Sequence, residues 1–142
     1  MAPEVFLDTA YAVALSSRHD KFHVQAMRLA GDIRTAGVRL VTSRAIVLEI
    51  GNALSRQRYR GAAIRLLEGL EDDPAIEIVP VSEQLYQRGW QLYRQRPDKE
   101  WGLTDCISFV VMQERGIMEA LTSDEHFQQA GYRALMRQSL AG

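Results

Sequence analysis

Val5-Phe6-Leu7-Asp8-Thr9 opens the chain with three apolar residues that run directly into an acid. A continuous apolar run this short reads as a strand buried on both faces, and Asp8-Thr9 then falls at its carboxyl end. Working outward, similar short runs return at 38–42, 76–81 (interrupted by Glu77) and 120–122, with a fifth, edge strand expected over 132–136. Segments of helical spacing separate them. They lie at 10–15, from Asp20 to near Gly37, after a Ser43 cap, at 59–70, after Ser82 with a capping box, from Thr104 or Asp105 to Gly116, and at 125–129. In the helix after Ser82, Leu85, Trp90, Leu92 and Tyr93 are expected inside. Strands alternating with helices predict an α/β fold: a single domain over 1–142, with a central parallel four- to five-stranded sheet flanked by helices on both faces. In such sheets ligands bind beyond the carboxyl ends of the strands.

The bulk properties narrow the function classes. At 142 residues, 46% hydrophobic and 25% charged, the chain fits one globular domain with its own core. No apolar run approaches the roughly 20 residues of a membrane helix, and the start carries no basic region or signal-peptide core. Cytoplasmic location without membrane association is the expectation. Cys106 is the lone cysteine, which rules out an internal disulfide and a thiolate metal site. The net charge of −1 does not advertise a nucleic-acid binder. Of the 17 basic residues, however, all but Lys21 and Lys99 are arginine, the side chain suited to bidentate phosphate contacts. Arginine-rich usage also reflects a GC-rich genome, and that is the favoured explanation.

Four acids stand in apolar settings. Asp8 follows the first strand and Asp124 the fourth. Glu49 lies between Val47-Leu48 and Ile50, and Asp105 heads the apolar run Cys106-Ile107-Ser108-Phe109-Val110-Val111-Met112. Each has a bland alternative. Asp8, Asp124 and Thr104 or Asp105 serve equally as helix or turn caps, and Glu49 shares a helix face with Asn52, Ala53 and Arg56 that suits a solvated stripe. One converging site accounts for all four at once. Carboxylates gathered without basic partners repel, so convergence requires a divalent cation. Oxygen ligands with no Cys or His cluster favour Mg²⁺ or Mn²⁺ over Zn²⁺. His126, beside Asp124, reads as a turn residue. An all-carboxylate site without a nucleotide-cradling loop suggests phosphodiester hydrolysis by a metal-activated water.

These residues resemble a known family. Phe6-Leu7-Asp8-Thr9, then Thr42-Ser43 with Glu49 and Asn52, then Asp98-Lys99-Glu100-Trp101-Gly102-Leu103-Thr104-Asp105, then Leu121-Thr122-Ser123-Asp124-Glu125-His126-Phe127 resemble, in order and interval, PIN-domain ribonucleases. Within that family the chain is similar to the VapC-like toxins of toxin–antitoxin pairs. The resemblance spans essentially the whole chain. It implies that Asp8, Glu49, Asp105 and Asp124 form the acidic metal and catalytic site. It also implies Mg²⁺- or Mn²⁺-dependent endonucleolytic cleavage of RNA, a homodimer, and a cognate antitoxin protein that blocks the site. Thr9, Asn52, Thr104 and Ser123 are the residues expected to support the acids or orient a ligand or water. Arg56, Arg58 and Arg60 are the candidates for phosphate contacts, against a solvated inter-helix turn. Trp101 suits base stacking, but packing of its loop is the favoured reading.

Other families that share this architecture fail on named residues. A haloacid-dehalogenase phosphatase needs a second Asp two residues after the first, where Ala10 stands. A receiver domain needs paired early acids and a late lysine, and the last lysine here is Lys99 in a loop. Two alternatives to a toxin remain: a housekeeping RNA-processing nuclease, and a PIN module that binds RNA or protein without cutting.

Overall fold

Val5, Phe6 and Leu7 are all buried although successive strand side chains point to opposite faces, so the strand they form, β1 (Glu4–Leu7), is covered on both sides. The computed structural model describes residues 1–137. The domain expected over 1–142 therefore reaches into 138–142, which lie outside the described residues. After β1 come α1 (Thr9–Ser16), α2 (His23–Ala36), β2 (Arg39–Ser43), α3 (Arg44–Ala53), α4 (Gln57–Asp72) and β3 (Ile76–Val79). The second half holds α5 (Glu83–Gln95), α6 (Leu103–Arg115), β4 (Glu119–Leu121), α7 (Glu125–Gln129) and β5 (Arg133–Ala134). The strands form one sheet in the order β3-β2-β1-β4-β5, every pairing parallel. The α/β reading holds at the level of elements and topology.

The topology fixes where a site forms. The chain runs outward from β1 through β2 to β3, then crosses back to place β4 on the other flank of β1. β1 and β4 therefore bound the point where strand order reverses, and the crevice opens beyond their carboxyl ends. Register pairs Phe6 with Val41 and Ala120, and Leu7 with Leu121, so Asp8, Thr42-Ser43 and Thr122 emerge side by side. The Asp8 amide still donates to Leu121 O at 3.3 Å, and the Thr42 hydroxyl to Leu7 O at 2.8 Å. These bonds hold the strand ends level.

Several local expectations need correction. The fifth strand is two residues long, not 132–136. The Met136 amide donates to Thr122 O at 3.1 Å, which draws Leu135–Arg137 into a 3₁₀ turn over the end of β4. Gly102, rather than Thr104 or Asp105, is the N-cap of α6, and Gly116 closes the helix at φ 66°. Asp105 is the third residue of the helix, and its Oδ2 accepts from the Gly102 amide at 3.0 Å. That is the carboxylate arm of a capping box whose other arm a glycine cannot supply. Ser43 and Ser82 do cap α3 and α5, accepting from Ile46 and Leu85 amides. Ser82 acts without a box, because Leu85 occupies the reciprocal position.

The face of α5 is also reassigned. Leu85 and Gly89 are buried and Leu92 half-buried, whereas Trp90 is 38% and Tyr93 45% exposed. The cause is the α5–α6 contact, where a Cβ on Gly89 would stand 2.7 Å from Ile107 Cγ1. Only a glycine lets the two helices close to that distance, and the turn that buries Gly89 rotates both rings outward.

Candidate active site

The four acids arrive from four different elements. Asp8 follows β1 and is the N-cap residue of α1, 5% exposed and with no cap bond from its side chain. Its Oδ2 accepts instead from the Thr122 hydroxyl at 2.7 Å. The same Thr122 oxygen accepts the Asp124 amide at 3.0 Å, so one buried hydroxyl ties the carboxyl ends of β1 and β4 together. Asp124 caps α7, its Oδ1 accepting from the His126 amide at 2.9 Å. Glu49 projects from the middle of α3, half-buried, and accepts the Thr9 hydroxyl through Oε1. Asp105 stands in the first turn of α6, at the head of the most buried helix. Asp105, Asp124 and His126 each offer a ligand atom within 4.8 Å of the others.

Electrostatics sets Asp8 and Asp105 apart from ordinary surface acids. Burial pushes the Asp8 carboxyl up to about 7, with the Glu49 and Asp105 charges adding to the rise and bonds from Thr122 and the Thr9 amide opposing it. Asp105 is raised as well, first by burial and then by Asp124, against the Gly102 amide and His126. Among the described residues no lysine or arginine forms a salt bridge with any of the four. The His126 ring approaches two of them, its Nδ1 lying 3.1 Å from Asp105 Oδ2 and 3.4 Å from Asp124 Oδ1. A set of converging carboxylate oxygens with so little positive charge fits a hard divalent cation. The thiol of Cys106, next to Asp105, is pushed up to about 11 by burial, so it is not poised as a nucleophile.

The expected supporting residues divide. Thr9 holds Glu49 as described. Thr104, second in α6, and Asn52, exposed one turn past Glu49, make no side-chain hydrogen bond to a described residue. Ser123 takes part through its backbone, its carbonyl accepting from Arg137 Nη1 at 2.8 Å. Arg56, Arg58 and Arg60 are all exposed at the α3–α4 junction. The Arg60 guanidinium folds onto Ser55 O at 3.1 and 2.7 Å, and that of Arg58 lies 4.7 Å from the centre of the Tyr59 ring. Trp101 packs its loop: it is 6% exposed, its Nε1 donates to Gln129 at 3.1 Å, and its ring meets Phe109 edge-on.

Two site residues escaped sequence reasoning. Thr122 read as the last residue of an apolar strand, and nothing in the sequence showed that its hydroxyl faces two acids. His126 read as a turn residue. The available signal was its place two residues after Asp124, where capping of its amide turns the ring back toward that acid.

Comparison with known proteins follows this geometry. A family model described as PIN domain matches residues 5–131, which takes in all four acids. The chain belongs to the PIN domain family. This PIN domain is 26% identical over 128 residues to VapC20 of Mycobacterium tuberculosis, strains CDC 1551 / Oshkosh and H37Rv, a protein named as a 23S rRNA-specific endonuclease. The match covers 90% of this chain and 95% of the relative. The crystal structure of M. tuberculosis VapC20, described as a sarcin-ricin loop cleaving toxin, superposes with a TM-score of 0.81 at 25% identity, over 90% of this chain and 95% of that one. The fold and family that the sequence motifs implied are those found. Among the described residues no helix is long and apolar enough to cross a membrane.

Proposed function

We propose that this PIN domain is a metal-dependent endoribonuclease and the toxin of a toxin–antitoxin pair, with Asp8, Glu49, Asp105 and Asp124 as its metal-binding and catalytic residues. The observation that carries the reading is the charge coupling of Asp8 to Glu49 and Asp105, and of Asp105 to Asp124, beyond the carboxyl ends of β1 and β4. Asp105 and Asp124 come together with His126, their ligand atoms within 4.8 Å of one another, and among the described residues no lysine or arginine forms a salt bridge with any of the four acids. Mg²⁺ or Mn²⁺ is the ion proposed, because the donors are almost all oxygen. A divalent cation held there supplies positive charge for a phosphate oxygen and acidifies a water for attack on phosphorus.

The chain's own groups prepare that chemistry. Thr122 holds Asp8 and Asp124 in register, Thr9 holds Glu49, and the Gly102 amide with His126 holds Asp105. Each acid thus accepts a hydrogen bond that fixes it and leaves remaining lone pairs for a ligand. The substrate is RNA, and a structured ribosomal RNA loop is the first class to test, given the names of the similar proteins. A cognate antitoxin, a homodimeric state and a cytoplasmic location belong to the same proposal.

The test is cleavage of bacterial total RNA by purified protein with Mg²⁺, against EDTA and against Asp8→Asn and Asp105→Asn. Cleavage with Mg²⁺ alone supports the reading. Cleavage that persists in EDTA, or in both variants, contradicts it.

A further inference from the structure

Beside the acids, α5 and the loop leading to α6 enclose a groove of about 680 Å³ that the proposed chemistry does not use. Trp90 and Tyr93 form one wall. They are exposed, one helical turn apart, and stacked with ring centres 5.7 Å apart and planes 19° from parallel. Arg94, whose guanidinium lies 5.8 Å from the Trp90 ring centre, and Lys99 supply positive charge, and neither forms a salt bridge among the described residues. Arg96 also lines the groove but is paired with Asp98, and Glu100 contributes a carboxylate. Gly102 and Leu103 also line it, and the Gly102 amide is bonded directly to Asp105. None of the four acids lines the groove, but through Gly102 it adjoins the acidic centre.

We propose that this groove holds the single-stranded RNA that flanks the cut phosphate, with a base added to the Trp90–Tyr93 stack and backbone phosphates on Arg94 and Lys99. The inference rests on the endoribonuclease reading above. A stacked aromatic pair exposed on a helix offers a π face on which a further ring can stack. Aromatic faces beside unpaired cations are the combination that binds single strands without sequence preference. The Gly102–Asp105 bond places the groove next to one of the acids, so a strand held there lies beside the site.

The experiment measures fluorescence anisotropy of a labelled decauridine RNA against the full chain carrying Asp8→Asn. The parent variant should bind it, and adding Trp90→Ala or Tyr93→Ala should weaken binding about tenfold or more. Trp90→Phe should restore most of the affinity, and Lys99→Ala should lower the slope of log affinity against log salt by about one. With the four acids intact, Trp90→Ala should raise KM for RNA more than it lowers kcat. Circular dichroism checks that each variant folds. The groove assignment is overturned if the parent does not bind decauridine, or if folded Trp90→Ala and Tyr93→Ala bind like the parent. A fall in molecular mass of Trp90→Ala by light scattering without RNA also overturns it, because the face is then a contact between copies of the chain. Failure of the endoribonuclease reading shows separately, as no RNA cleavage by the unsubstituted chain with Mg²⁺, or as cleavage that persists in EDTA or in both Asp8→Asn and Asp105→Asn.

Discussion

Asp8 and Glu119 are both 5% exposed and sit on neighbouring strands, yet at opposite edges of the sheet their surroundings differ completely. Glu119 begins β4 at the amino edge. One oxygen accepts the Ala2 amide at 2.8 Å and the other faces Arg133 Nη2 at 3.3 Å. Asp8 ends β1 at the carboxyl edge, where a neutral hydroxyl is its side-chain partner and two further acids raise its pKa. Burying a carboxylate is costly in either place, and structural acids offset that cost with a cation and hydrogen bonds. Burial alone therefore does not mark a site in this fold; burial without compensation does.

The contrast breaks most readily at the level of activity. Asp8→Asn, or EDTA, should lower RNA cleavage by about 10²-fold or more, since either removes the cation or one of its ligands. Glu119→Gln should leave the cleavage rate within about twofold and cost no more than about 1 kcal/mol of stability, because the glutamine oxygen still accepts the Ala2 amide and the cation released, Arg133, is exposed. Chemical denaturation and single-turnover cleavage measure the two. Equal loss of cleavage in both variants would mean that the two edges are not functionally distinct.

Thr122→Val tests the link between the site strands. It removes the hydroxyl that donates to Asp8 and leaves the Asp124 amide without its acceptor. Cleavage should fall by about 10- to 100-fold, with about 1–3 kcal/mol lost from stability. Thr122→Ser keeps the hydroxyl and should recover most of the rate.

The pH dependence sharpens the contrast further. Asp8 rises from 3.8 in an unfolded chain to about 7 in the fold, so the folded state holds its proton more tightly. Its ionisation then destabilises the metal-free protein progressively from about pH 4 to about pH 7, by a few kcal/mol at most, and the loss is complete above that. Asp8→Asn should flatten this decline in a pH series of urea unfolding curves. A cation must displace the same proton, so the rise in Tm produced by Mn²⁺ should be larger at pH 8 than at pH 5.5. At the small end, Asn52→Ala, at an exposed side chain with no bond to a described residue, should change stability by no more than about 0.5 kcal/mol.

Much of this was legible in the chain itself, for physical reasons. Short apolar runs such as Val5-Phe6-Leu7 leave few options besides a doubly covered parallel strand, and the acids following two of them had to emerge at one edge. The α6 cap was misread because Thr104 and Asp105 are good cap residues while Gly102 offers only its amide, and the bond from that amide to Asp105 shifts the start back two residues. Trp90 and Tyr93 were placed inside because large aromatics usually pack. The geometry that exposes them depends on the close approach of Gly89 to Ile107, two residues far apart in sequence. Thr122 was missed for the same kind of reason: its partners come from both ends of the chain.

The most direct test is where a metal binds. A crystal structure of the protein grown with Mn²⁺ should show an anomalous scattering peak among Asp8, Glu49, Asp105 and Asp124, at about 2.1–2.2 Å from the oxygens it engages. Asp8→Asn should weaken or remove that peak. No peak at the carboxyl edge at saturating Mn²⁺, or one beside Glu119 instead, would contradict the account.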